Sequence, residues 1–289
     1  MLGKALWRRG RISNFRPYAV LTVLSILVLI QPFSIPSVES QKSTHSVFIE
    51  IFSSTWCEPC SREQSVIQRL SGNESHMAHF VVFHLQDIWS TTYSVERATE
   101  LDFTFVPSHA YDGGYARISG ATVEQSGIES VASRNVHLVE LTVSSSTNGS
   151  VLNAQVAVAE RNGYSFSGEV AAYVVENGIN IDGVQWNSVY KGQLFRQGVF
   201  LKPNSYIVLS GNWSIPHDSK PDNLQVVAVA FDKSTVGRYG PYAVQSACDK
   251  DSSVVIPEFG GWLPLLVTST IFITAFMFRR LRVKGNLTS

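Results

Sequence analysis

The stretch Ser46-Val47-Phe48-Ile49-Glu50-Ile51-Phe52-Ser53-Ser54-Thr55-Trp56-Cys57-Glu58-Pro59-Cys60 decides the reading of the fold. Residues 46–52 are rich in β-branched and aromatic side chains, the composition of a buried strand. The polar run Ser53-Ser54-Thr55 turns the chain, and from Ser61 to Leu70 the apolar Val66, Ile67 and Leu70 recur at helical spacing. Strand, tight turn and helix follow in that order, so Cys57 and Cys60 fall at a helix N-terminus. Partial positive charge and free N–H groups there favour a thiolate. Cys57, at the mouth of the turn, is the expected nucleophile, and Cys60 the expected resolving thiol of a redox disulfide.

Further along, His79–Leu85 reads as a second strand, Ser94–Glu100 as a short helix, and Phe103–Val106 leads through Pro107 into Ser108–Tyr111. Asp112-Gly113-Gly114 is a hairpin turn, with Tyr115–Ile118 returning as a strand. From Val136 the alternation of strand and helix stops. Val136–Ser144, Val151–Glu160, Gly168–Val175, Tyr206–Leu209 and Leu224–Phe231 are all strand-like, and Asn148-Gly149, Asn162-Gly163 and Asn177-Gly178 punctuate them as hairpin signals. The expected fold class is therefore an α/β domain over residues 41–134 followed by an all-β sandwich over 135–252, as separable units.

The segment Phe48–Cys60 resembles the active-site strand and turn of the thioredoxin superfamily, with Trp56-Cys57-Glu58-Pro59-Cys60 as its signature, and Val106–Pro107 sits where that superfamily carries a cis-proline. The resemblance implies an α/β thioredoxin-like domain in which Pro107 packs against the disulfide as part of the catalytic set. It also implies that Trp56 covers the sulfurs, and that Val106 pairs through its backbone with an extended substrate. One position departs from the pattern: the buried acid that many thioredoxins carry six residues before the first cysteine is Ile51 here. The adjacent Glu50 points to the opposite face of the strand and is expected to be solvated or bonded elsewhere, so resolution would be slower or differently assisted. The two-part layout also resembles the Omp-twenty-eight-like proteins of the same superfamily, with Leu224–Asp232 and Ala243–Ala247 as closing strands of the second domain.

Other readings of the cysteines are weaker. Zinc needs four ligands, and beyond the pair only Cys248 and the nitrogens of His76, His79 and His84 present themselves, so no metal and no cofactor is expected at the pair. A purely structural disulfide would close too small a ring to stabilise a fold much. Cys248 is expected to be a buried or semi-buried free thiol, and His109, two residues after Pro107, a core or surface histidine. A net charge of +0 and a pI near 7.1 give no basic field, which excludes nucleic acid as a partner.

Lys4, Arg8, Arg9, Arg11 and Arg16 precede the apolar run Tyr18–Ile30, so residues 1–40 read as a signal peptide or N-terminal anchor. At the other end, Pro257-Glu258-Phe259 precedes the uncharged run Trp262–Phe278 and the basic Arg279-Arg280-Leu281-Arg282-Val283-Lys284. This predicts a transmembrane helix within residues 253–289, a cell-membrane location and an extracytoplasmic catalytic region. The tail resembles archaeal Pro-Glu-Phe sorting signals. The function expected from all of this is a membrane-anchored thiol–disulfide oxidoreductase. Its partners would be extracytoplasmic client proteins, a membrane electron donor or acceptor and the lipid bilayer. The competing expectation is a surface adhesion or binding protein whose sandwich does the work and whose first domain is a scaffold.

Overall fold

The computed structural model describes residues 43–71, 78–120, 122–235 and 237–251. Strand β1 (Val47–Ser53) is buried along its whole length. It runs parallel to β2 (Ala78–His84), from Val47 opposite Ala78 to Ser53 opposite His84. On its other side β1 pairs antiparallel with β3 (Ser108–Tyr111), which pairs with β4 (Ala116–Ser119). The turn before β4 requires glycine: Gly114 has φ 105°, and a Cβ there would lie 2.7 Å from the Tyr239 side chain. Helices α1 (Glu58–Ser71), α2 (Thr92–Glu100) and α3 (Gln125–Ala132) follow β1, β2 and β4. The N-terminus of α2 is capped by Thr91, whose hydroxyl accepts from the Ser94 N–H.

The remaining strands are β5 (Val139–Asn148), β6 (Val151–Glu160), β7 (Phe166–Glu176), β8 (Ile179–Ile181), β9 (Val184–Trp186), β10 (Val189–Leu201), β11 (Tyr206–Ser214), β12 (Leu224–Asp232) and β13 (Tyr242–Cys248). They do not form a unit of their own. An eight-stranded mixed sheet runs in the order β13-β12-β7-β10-β2-β1-β3-β4, joined across its middle by Val189 of β10 beside Val82 of β2. A three-stranded sheet, β11-β6-β5, packs on the β7–β12 part of one face, and α1 and α3 cover the β1–β2 part of that same face.

The opposite face carries the core that joins the two halves of the chain. Phe48, Phe52, Val81 and Phe83 pack there with Tyr173, Val175, Tyr190, Val227 and Phe231, under Ala98 and Leu101 at the α2 end. The Phe83 and Tyr190 rings lie 4.9 Å apart, and Phe48 stacks on Tyr173 at 5.8 Å.

Two expectations are corrected by this architecture. The fold is a largely β, sandwich-like assembly around one continuous sheet, not an α/β thioredoxin-like domain followed by a separate sandwich, because β10 and β7 extend the very sheet that β1 and β2 begin. The expected membrane span also has no counterpart. Among the described residues no helix is long and apolar enough to cross a membrane. Residues 1–42 and the tail from Pro257 to Lys284, on which the expected anchor and span fall, lie outside the described residues, and the expected cell-membrane placement finds no support among the described ones.

Glu50 is neither solvated nor near the cysteines. It is fully buried on the α2 face of β1, where Arg97 donates from Nε and Nη2 to its two carboxylate oxygens at 2.7 and 2.9 Å. Glu50→Ala should cost about 3–5 kcal/mol, since it leaves the Arg97 guanidinium buried with its main partner gone. Urea denaturation measures this. Glu50→Leu combined with Arg97→Met should recover most of the loss, whereas a single-variant shift within the range of surface substitutions would deny the pair a structural role.

Candidate functional site

The turn after β1 closes on the first turn of α1, at the carboxyl ends of the parallel strands β1 and β2. Cys57 precedes the helix as its cap: its Sγ accepts the Cys60 N–H at 3.2 Å and its carbonyl accepts the Ser61 N–H at 3.1 Å. Pro59 occupies the first turn, where no N–H is needed. Cys57 and Cys60 are joined as a disulfide. Cys57 is 5 % exposed and Cys60 0 %, so an incoming group can reach the pair only at the Cys57 edge.

Residues from distant parts of the chain enclose the sulfurs. Trp186, Val189, Trp89 and Val106 pack with them, together with Ile179, Ile181 and Val184 of the β8–β9 ribbon. The Val106–Pro107 peptide is cis. Val106, expected to pair through its backbone with an extended substrate, packs against the disulfide itself, while Trp56 does not cover it. Trp56 is 62 % exposed, with its indole N–H donating to the Gln86 carbonyl at 3.2 Å. Trp186 of β9, 1 % exposed, packs over the pair. Trp56, Ile88 and Phe105 are all exposed apolar groups in segments that border the pair.

A His–Asp dyad stands beside this enclosure. His84, paired with Ser53 across β2 and β1, donates from Nδ1 to Asp87 Oδ2 at 2.6 Å. Its ring meets Trp89 and Trp186 edge-on at 4.7 and 4.9 Å. Asp87 also accepts from the Thr55 N–H at 2.8 Å, the Ser54 hydroxyl at 3.2 Å and the Trp89 N–H at 2.9 Å, so it fixes the turn that presents Cys57. Burial works to raise the Asp87 pKa, but the bonds from His84, Thr55 and Trp89 outweigh it and hold the carboxyl below its ordinary value. A carboxylate can only accept, so Nδ1 carries the ring hydrogen and Nε2 presents a lone pair. That Nε2 is buried without a hydrogen-bond partner among the described residues.

On the other side, under α1, His109 lies opposite Ile51 with its Nε2 2.8 Å from Glu63 Oε1. The approach is off the line of a hydrogen bond: among the described residues both His109 nitrogens and Glu63 Oε2 lack hydrogen-bond partners, and Glu63 Oε1 takes the Val123 N–H at 2.8 Å. Cys248 is remote from the pair, a buried free thiol at the end of β13. Burial, then the Asp251 charge, pushes its thiol up to about 12, which disfavours a third redox centre.

His84, Asp87 and Trp186 were not singled out as site residues by sequence. The spacing His84-Leu85-Gln86-Asp87 at a strand end was the one local signal for the dyad.

No family model matches the chain, and no curated protein does. Among solved structures, a structural-genomics protein from Agrobacterium tumefaciens is similar at 11 % identity and TM-score 0.48, over 73 % of this chain and 97 % of its own. The E. coli curli protein CsgC matches at 16 % identity and TM-score 0.23, over 38 % of this chain and 96 % of its own. A β-glucuronidase from Bacteroides uniformis matches at 10 % and 0.27, over 37 % of this chain and 12 % of its own. Likeness at this level assigns neither a family nor an activity.

Proposed function

We propose that the chain is a thiol–disulfide oxidoreductase that exchanges with protein clients through Cys57 and Cys60. The observation that carries this is the asymmetry of the pair: Cys57 Sγ takes a helix N-terminal N–H and Cys57 keeps 5 % of its surface exposed, while Cys60 keeps none. The resemblance to the thioredoxin superfamily supports the chemistry through Trp56–Cys60 and Val106–Pro107, and lends nothing to the fold.

In the reduced protein the Cys57 thiolate attacks one sulfur of a client disulfide. A Cys57–client bond forms, the client S–S bond breaks, and the released client thiolate takes a proton from water. The Cys60 thiol then gives its proton to His84 Nε2 and attacks Cys57 Sγ, which forms the Cys57–Cys60 disulfide and releases the second client sulfur as a thiolate that takes the proton back from His84. A dithiol reductant restores the starting state, and the same steps in reverse oxidise a client dithiol. The exposed apolar Trp56, Ile88 and Phe105 suit an unfolded or extended client segment.

Cys60→Ser should accumulate mixed disulfides on Cys57, visible as adducts on non-reducing gels that dithiothreitol releases, and Cys57→Ser should accumulate none. Equal trapping by both variants, or none by either in the reduced protein, would sink this reading and favour a binding role in which the pair is only a staple.

A further inference from the structure

Where β13 ends, Cys248 and Asp251, three residues apart, meet His79 from the start of β2. His79 Nδ1 lies 2.8 Å from Ser246 Oγ, and that hydroxyl spends its one hydrogen on the Ser46 carbonyl at 2.9 Å. Nδ1 therefore carries the ring hydrogen. Nε2 faces both carboxylate oxygens of Asp251, at 3.1 and 3.2 Å. Cys248 Sγ is 3.2 Å from Asp251 Oδ1 and accepts from Gln225 Nε2 at 2.8 Å. The contact is one that a proton on Nε2 closes as a buried ion pair and that a metal ion can take over.

We propose that His79 Nε2, Cys248 Sγ and an Asp251 carboxylate oxygen bind a zinc-class divalent cation, with water in the fourth position. Their ligand atoms lie within 4.8 Å of one another. Tetrahedral zinc with bonds of about 2.0–2.3 Å sets its ligands roughly 3.4–3.7 Å apart, which small side-chain adjustments reach. Imidazole, thiolate and carboxylate make a donor set suited to zinc, and the two anionic ligands neutralise the ion. Ser246 fixes the His79 tautomer in the manner of an outer-shell partner.

Room exists for the fourth ligand: a cavity of about 40 Å³ is lined by Ser71, His79, Gln225, Cys248 and Asp251. A water occupies roughly 10–15 Å³ on that measure, so two or three fit. A larger cavity of about 460 Å³, lined by Ser145, Cys248, Asp249 and Asp251, gives entry from outside. Binding exchanges one proton for the ion: the Cys248 thiol releases its hydrogen to solvent as the metal–sulfur bond forms. His79 stands five residues before His84 on β2, about 16 Å along the strand, so this site is separate from the redox pair and stands without it.

Cobalt(II) titration of the full chain carrying Cys57→Ser and Cys60→Ser tests the site, because Cys248 is then the one cysteine of three that remains. A sulfur-to-cobalt charge-transfer band should grow to one ion per chain and bleach with one equivalent of zinc. Adding Cys248→Ser should abolish it, His79→Gln should weaken binding at least tenfold, and Ser246→Ala about 10–100-fold. The wild-type chain with its disulfide intact serves equally if the double variant does not fold, since bridged sulfurs give no thiolate. A folded protein that shows no band at millimolar cobalt, as a shared proton between His79 and Asp251 would produce, overturns the proposal. So does a band that survives Cys248→Ser.

Discussion

His84→Asn should slow the resolving step of exchange by about 10²-fold or more, the range for loss of a positioned general base. Attack by Cys57 on a client should change far less. The argument is one of enclosure. Cys60 is 0 % exposed, so bulk water does not take its proton, and the acceptor must stand inside the walls formed by Trp89, Trp186 and Val106. His84, whose ring meets the Trp89 and Trp186 walls, has an uncommitted lone pair on Nε2, because Asp87 holds the hydrogen on Nδ1. Without the imidazole, Cys60 depends on hydroxide, and the resolution rate should climb with pH where the parent levels off.

Other ionisable groups near this volume include Glu58 between the cysteines, Asp87 itself, the Glu63–His109 contact under α1, and the Lys191–Glu176 pair across β10 and β7. Glu63→Gln is the informative control. Stopped-flow Trp fluorescence separates the two half-reactions. If Glu63→Gln slows resolution and His84→Asn does not, the proton leaves on the β3 side and the dyad serves only to hold Thr55 and Ser54 in place.

The local parts of this site could be read from the chain because local chemistry dictates them. Val47–Ser53 becomes a strand because every side chain in it is buried, and Cys57 caps a helix because a tight polar turn precedes a 3.6-residue pattern. Asn148-Gly149 makes the hairpin it predicts, joining β5 to β6. Asn162-Gly163 and Asn177-Gly178 bend the chain just as sharply, yet neither makes a hairpin between large-sheet strands. The first carries it from the small sheet to the large one, and the second into the β8–β9 ribbon. A turn fixes the direction of the next strand and leaves its partner open. Partner choice was decided by contacts more than a hundred residues apart, such as Val189 beside Val82 and Trp186 over Cys57, which no local period encodes.

Dividing the chain between Arg134 and Asn135, where the pattern of elements changes, should leave neither half folded. The cut would expose β2 along the edge that β10 closes, and strip the shared core of one wall: Phe48 and Phe83 would lose Tyr173, Tyr190 and Phe231, all of them buried. Polar ties cross the same line. Arg134 Nη2, held by Asp112 Oδ2 at 2.8 Å, donates across it to the Ala243 carbonyl, and the Ala243 N–H donates to the Asp112 carbonyl at 3.0 Å. Cutting there would orphan buried groups that neither fragment can satisfy alone. Each fragment, expressed separately, should therefore give a collapsed amide NMR spectrum, and the intact chain should unfold in a single transition by near- and far-UV circular dichroism. The milder substitution Tyr173→Ala, far from the cysteines in sequence, should cost about 3–5 kcal/mol and should raise the reactivity of Cys57 and Cys60 to reductant in step with global unfolding. A dispersed spectrum from either fragment, or two separate transitions in the whole chain, would mean that the continuous sheet is a contact between independent units and not their common core.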